Sequence, residues 1–174
     1  TSDYWYVKMP FSTGIGGTES IPSGVICFRK HSVVECDQGP VEIQDIDTSY
    51  HTIQNMRIMS VTRSLNSQGE ILYVPKDTFG KNTPNRNTFI SFLHKIKHNG
   101  AYTKAIDLYS LYPDKMEIVN YQGVMYNVLL ESYDSIIVNG CTVESLFPND
   151  DIAKLYRSVL NHKQYSSTNK RDII

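Results

Sequence analysis

The chain has 174 residues, of which 17 are Lys or Arg and 18 are Asp or Glu, so its formal net charge is −1 at pH 7. A chain of this length typically forms one domain and buries roughly 70% of its unfolded surface, which is enough for a hydrophobic core without stabilising disulfides or metal ions. The balanced charge argues against a nucleic-acid partner, and no apolar run approaches the roughly 18 residues of a membrane span.

The cysteine pattern indicates free thiols. Cys27, Cys36 and Cys141 lack C-x-x-C spacing, and their odd number argues against a disulfide framework. Cys27 and Cys36 lie on adjacent predicted strands and could pair, but buried free thiols are favoured. We predict one globular domain over residues 1–163 and a flexible basic tail over residues 164–174.

The first half of the chain is patterned for β-strands. A glycine-rich loop over residues 12–24 interrupts this pattern after the first predicted strand. A strand over residues 51–63 and a strand over 70–74 flank the turn residues 66–69, which predicts a hairpin. The shorter predicted strands cover residues 4–9, 25–29, 32–36 and 41–46.

The clearest helical pattern covers residues 84–99. Its large apolar residues recur at i, i+3, i+4 and i+7, so they would share one helix face. Pro84 suits the first turn of a helix, and Gly100 suits its end. The four apolar residues are Phe89, Phe92, Leu93 and Ile96.

The second half of the chain predicts two more hairpins and a closing helix. Residues 115–121 and 124–131 flank Gln122-Gly123, and residues 135–138 and 141–144 flank Asn139-Gly140, the strongest turn signal in the chain. Residues 150–162 have helical spacing with acids at the start. Residues 101–112 fit a helix, which we favour, or a strand.

These elements predict an α+β fold, in which an antiparallel sheet built from hairpins packs against two helices, 84–99 and 150–162. The predicted helices and hairpins are segregated along the chain, which argues against a doubly wound parallel sheet.

Two arrangements of reactive side chains can be tested against the structure. His51, Asp77 and Cys141 have the chain order of some viral cysteine proteases, but Thr142 follows the cysteine where a glycine of the oxyanion hole is usual. His94 and His98 have the i, i+4 spacing of zinc ligands, without the intervening glutamate of H-E-x-x-H. We therefore predict neither a metal nor a cofactor.

The aromatic residues are the other candidate site. Tyr and Trp present flat apolar faces with a polar tip, which suits sugar rings and protein interfaces. Trp5 lies on the first predicted strand, and the tyrosines lie in or beside the second predicted hairpin. The candidate receptor-binding residues are Trp5, Tyr121, Tyr126 and Tyr133.

The opening Asp3-Tyr4-Trp5 resembles the start of the receptor-binding head of the rotavirus outer-capsid spike protein. The resemblance implies a galectin-like β-sandwich as the alternative fold, and a virion-surface protein synthesised in the host cytoplasm. It also implies partners: a host-cell glycan or protein receptor, and the remainder of the spike polypeptide. Lys170-Arg171 is compatible with the trypsin cleavage that releases such heads.

The sequence thus leads to the expectation of a non-enzymatic viral attachment domain. One alternative is a viral cysteine hydrolase that uses His51 and Cys141. The other is a viral protein that binds a host factor through its helix or a strand edge.

Overall fold

The computed structural model describes residues 26–66, 69–149, 153–154 and 157–158. Within these ranges the named elements are thirteen strands, one α-helix (α1, Ala105–Leu111) and a 3-10 turn at Ile43–Asp45. The fold is mainly β, so the antiparallel sheets of the predicted α+β class are confirmed, whereas the first of its two packed helices, over residues 84–99, is wrong. The strands are β1 (Phe28–Arg29), β2 (Val33–Cys36), β3 (Gly39–Glu42), β4 (Thr52–Ile53), β5 (Met56–Leu65), β6 (Glu70–Val74), β7 (Thr88–Ile90), β8 (Lys95–His98), β9 (Ala101–Lys104), β10 (Glu117–Asn120), β11 (Val124–Leu130), β12 (Ser135–Val138) and β13 (Cys141–Glu144).

Two antiparallel sheets share one hydrophobic core. The seven-stranded sheet has the order β10-β6-β7-β1-β11-β5-β4, and the six-stranded sheet has the order β3-β2-β12-β13-β8-β9. Phe28 and Ile90 of the first sheet are buried in the same cluster as Val34, Val138 and Val143 of the second. This arrangement is compatible with a β-sandwich, whereas a galectin-like topology remains a prediction.

Two of the three predicted hairpins are wrong in their pairing. β5 pairs with β11, and β6 pairs with β10. The two segments between them lie side by side, because Asn66 N–H donates to Gly123 O (2.9 Å) and Tyr121 N–H donates to Gly69 O (2.7 Å). The β5–β11 and β6–β10 pairs are therefore two halves of one long antiparallel ribbon that bends at these polar and glycine residues. The strands before and after each bend do not pair with each other.

The third predicted hairpin is confirmed. β12 and β13 pair from Ser135 opposite Glu144 to Val138 opposite Cys141. Asn139 and Gly140 between them both have positive φ, 50° and 76°. This is the backbone that a two-residue type I′ turn requires and that Asn-Gly favours.

The predicted helix over residues 84–99 is wrong, because this stretch contains β7 and β8. In β8 the buried Ile96 lies between the exposed Lys95 and Lys97, the alternation of a strand. A turn separates the two strands, closed by His94 N–H donating to Ser91 O (3.3 Å). Each strand has a period of two, and the inserted turn shifts the phase so that the combined apolar spacing imitates a helix.

Residues 101–112 hold both elements that their pattern allowed. β9 pairs with β8, and α1 follows directly, with Ala105 and Leu108 fully buried. Residues 153–154 and 157–158 of the predicted closing helix are helical, and its other residues lie outside the described ranges, as do the first predicted strand, the loop over 12–24 and the tail over 164–174.

The cysteine prediction is confirmed, since Cys27, Cys36 and Cys141 are all buried and are not joined by a disulfide. Within the described ranges, no helical segment has the length and apolar character that crossing a membrane needs.

Candidate functional site

The peptide bond that joins Ile26 to Cys27, just before β1, is clamped by side chains from distant parts of the chain. Cys27 N–H donates to Ser91 Oγ (2.8 Å), and Cys27 O accepts from Ser91 N–H (3.0 Å). Ile26 O accepts from Asn127 Nδ2 at 2.5 Å. The backbone groups on both sides of this bond therefore have a fixed orientation.

Asn127 is a polar residue in an apolar strand. β11 reads Val-Met-Tyr-Asn-Val-Leu-Leu and is buried along almost its whole length, as expected for a central strand with partners on both edges. Asn127 is fully buried, and its Oδ1 accepts the Val128 N–H (2.8 Å). That bond fixes the amide with its donor aimed at Ile26 O, and a buried amide needs such a partner.

Ser91 and His94 are brought together by the turn between β7 and β8. This turn is held by the amino end of α1, where the first N–H groups of a helix lack partners within it. Ala105 N–H donates to His94 O (2.9 Å), and Ile106 N–H donates to Phe92 O (2.9 Å). The short helix thus fixes the turn that carries the two side chains.

His94 is completely buried, and its ring packs on Phe28 with centroids 4.4 Å apart. Nε2 lies 2.9 Å from Glu144 O. A carbonyl can only accept, so Nε2 carries the proton, and Nδ1 of the neutral ring keeps its lone pair. Within the described part of the chain, Nδ1 is buried without a hydrogen bond.

The pKa of His94 is lowered from its ordinary value, chiefly because burial disfavours the charged ring. Three influences act in the opposite direction: the hydrogen bond to the Glu144 carbonyl, the Glu144 carboxylate, and the nearby Cys27 backbone. Burial therefore favours the neutral form of the His94 ring, which lies against Phe28, the residue after Cys27.

The Cys27 thiol is shielded from water. The residue is 1% exposed and clusters with Ile71 and Met125. Its Sγ lies 3.6 Å from Ser64 Oγ, which is also buried. The Ile26–Cys27 bond thus has a carbonyl that accepts from a buried amide and a thiol on its next residue, and the buried imidazole packs on Phe28, one residue further along. A thiol, a polarised carbonyl and an imidazole are the components that acyl transfer needs.

The predicted cysteine-hydrolase residues are not joined by any hydrogen bond or ring contact in the described part of the chain. His51 Nδ1 accepts from Asp47 N–H (2.9 Å), and Asp77 accepts from Asn82 N–H. Cys141 is 4% exposed, and burial raises the pKa of its thiol to about 12. A thiol with that pKa is protonated at neutral pH and is a poor nucleophile.

The His94–His98 pair is not a helical metal motif. His94 lies in the turn, and His98 ends β8 with its Nε2 3.2 Å from Tyr112 OH. Among the described residues, no group of three or more His, Cys, Asp or Glu side chains could hold a metal ion.

The candidate receptor-binding residues have different surroundings. Trp5 lies outside the described ranges. Tyr126 is buried, and the half-buried Tyr121 lies under the Arg29 guanidinium, 5.1 Å from ring centroid to Cζ. Tyr133 is 46% exposed, and its hydroxyl donates to Glu144 Oε2 (2.7 Å).

The residues of the clamp were mostly missed from the sequence. His94 was considered only with His98, and Cys27 only as a buried thiol. The pattern Ser91-x-x-His94, which closes a turn after a strand, was the available signal for that half of the site. Nothing in the local sequence marks Asn127, because its role depends on an antiparallel pairing with residues far away in the chain.

Neither a comparison with protein-family models nor a comparison with curated proteins gives a match. Among solved structures, the chain is similar to a crystal structure of the Ssp DnaB mini-intein variant M86. The identity is 13%, the TM-score is 0.45, and the alignment covers 72% of this chain and 97% of the other. A likeness at this level carries no conclusion about this chain.

Proposed function

We propose that this domain activates its own Ile26–Cys27 peptide bond for an N-to-S acyl shift, and so cleaves the chain at that bond. The observation that carries the proposal is the clamp itself: both backbone groups of one peptide bond are held by side chains, the half-buried Ser91 and the fully buried Asn127, and the thiol of Cys27 follows directly.

The steps use the Cys27 thiol, the Asn127 amide and the His94 imidazole. Cys27 Sγ attacks the Ile26 carbonyl carbon through a five-membered ring, and Asn127 Nδ2 stabilises the oxyanion. His94 accepts the thiol proton and delivers it to the Cys27 nitrogen as the C–N bond breaks. Water then hydrolyses the thioester, which gives an Ile26 carboxylate, the free Cys27 amine and the restored thiol.

Because Cys27 is buried, a nucleophile from solution should reach the thioester only slowly. Cys27 and Asn127 are both almost inaccessible in this structure, so the thioester would be protected from water until the surrounding residues open. We therefore expect slow spontaneous cleavage that a small strong nucleophile accelerates.

The experiment is a time course of intact mass for the purified 174-residue chain at neutral pH, compared with Cys27→Ala. The proposal predicts fragments 1–26 and 27–174 from the wild type and none from the variant. Cys36→Ala is the matched control, since Cys36 is also a buried cysteine and lies outside the clamp. Equal cleavage of Cys27→Ala and the wild type would contradict the proposal.

We also retain viral attachment as a second candidate function, because one observation favours it. Tyr133 and Phe147 pack edge to face with ring centroids 5.4 Å apart, and both are about half exposed. Such a pair could bind a glycan or a protein receptor. A glycan array and cell-binding assay with the wild type and Phe147→Ala tests this, and equal binding by both would contradict a role for the pair.

A further inference from the structure

Glu144 connects the clamp to the surface of the six-stranded sheet. Its backbone carbonyl accepts the His94 Nε2–H at 2.9 Å. Its carboxylate, on a residue only 7% exposed, accepts from the Tyr133 hydroxyl (2.7 Å) and from the Lys95 N–H (3.2 Å). A buried acid with two donors on its carboxylate is held in one place.

We propose that Glu144 is the positioning residue for His94: its carbonyl fixes the imidazole tautomer, and its carboxylate stabilises the imidazolium that forms when the ring takes the Cys27 proton. This inference rests on the proposed acyl shift. It adds the residue that orients His94, the base of that reaction, and stabilises its protonated form. Glu144 does not touch the peptide bond, so it acts only through His94.

The surroundings of the pair support this role. The Glu144 carboxylate and the Cys27 backbone both favour the charged form of the His94 ring. Tyr133 faces the carboxylate of Glu144, to which its hydroxyl donates.

The test is the pH dependence of cleavage in Glu144→Gln, which keeps the size and the carbonyl of the residue but removes the charge. We expect the acid limb of the rate profile to move to lower pH by about one unit, because an opposite charge nearby shifts a pKa by about that much or more. The plateau rate should fall several-fold. Glu35 is an exposed acid on β2 of the same sheet, and Glu35→Gln should have the same pH–rate profile as the wild type.

An NMR titration of His94 separates this inference from the proposed function. It is made in the Cys27→Ala background, which cannot form a thioester, with and without Glu144→Gln. A lower His94 pKa in the double variant supports the positioning role, whether or not the wild type cleaves. An unchanged His94 pKa would overturn the role even if cleavage occurs, and absence of cleavage in the wild type would overturn the acyl shift alone.

Discussion

Asn127 donates its side-chain amide to the backbone carbonyl of Ile26, a residue 101 positions earlier in the chain. The contact exists because β1 pairs with β11, with Phe28 opposite Tyr126, so the residues just before β1 reach the level of Asn127. The register of one strand pair therefore brings an oxyanion donor to a particular peptide bond.

Replacement of this donor should slow the acyl shift. We expect Asn127→Ala to reduce the cleavage rate by about 10²- to 10³-fold, the usual loss for one oxyanion donor. The measurement is the rate of appearance of fragment 27–174, with the melting temperature taken in parallel. Asn87→Ala removes an exposed amide that accepts from Lys76 N–H, and it should leave the rate unchanged. An unaltered rate in a folded Asn127→Ala would exclude the oxyanion role.

Cys141 should be dispensable for cleavage and inert to alkylation. Burial raises the pKa of its thiol to about 12, so it carries little thiolate at pH 8. We expect Cys141→Ala to cleave like the wild type, and we expect iodoacetamide to leave Cys141 unmodified until the protein unfolds. Loss of cleavage in a folded Cys141→Ala would restore the hypothesis that pairs it with His51.

How far the sequence predicted this fold depends on the range of the interactions concerned. The Asn139-Gly140 hairpin was predicted correctly because its turn chemistry is local. The ribbon that bends near Asn66 and Gly123 was predicted wrongly as two hairpins. A polar or glycine-containing segment can either reverse the chain or bend a strand, and the strand that pairs with it from a distant part of the chain decides between the two. The receptor-binding residues stay predictions, and the clamp was outside the reach of local patterns.

The turn at Gly140 allows a comparison of two glycines. Gly140 has φ 76°, and an added Cβ would lie 2.8 Å from Asn82 O, whereas Gly100 has φ 83° with no atom within 4 Å of such a Cβ. We expect Gly100→Ala to cost about 1–2 kcal/mol from the left-handed backbone alone. Gly140→Ala should lower the free energy of unfolding by more than this, as measured by urea denaturation of both variants. Equal decreases in the free energy of unfolding would contradict the close contact with Asn82 O.

Asp37 should make the stability of the fold depend on pH. Its carboxylate accepts from Thr52 Oγ1 (2.6 Å), Gln54 N–H (3.0 Å) and Asn55 N–H (2.9 Å), which holds the turn between β4 and β5. The Thr52 hydroxyl and then these backbone donors lower the pKa of Asp37 below 3.8. The stabilisation is therefore complete above the unfolded-state pKa and is lost as the pH falls through the lower folded-state value.

Melting temperatures of the wild type and Asp37→Asn between pH 2.5 and 6 test this. The variant should melt lower at pH 6, and the difference should shrink as the pH falls. Asp45→Asn, at an exposed acid in the same part of the chain, is the control and should follow the wild type. A difference independent of pH would show that the charge on Asp37 does not stabilise the turn.

The central claim is that a thioester forms between Ile26 and Cys27, and hydroxylamine at pH 7 tests it most directly. The reagent converts a thioester to a hydroxamate, so the account predicts fragment 1–26 ending in an Ile26 hydroxamate, identified by mass and absent from Cys27→Ala. The two Asn-Gly bonds, at Asn99 and Asn139, are known types of hydroxylamine-sensitive site, but their products have different masses. If the wild type stays intact at Ile26–Cys27 while it remains folded, the clamp is a structural feature and the proposed function is wrong.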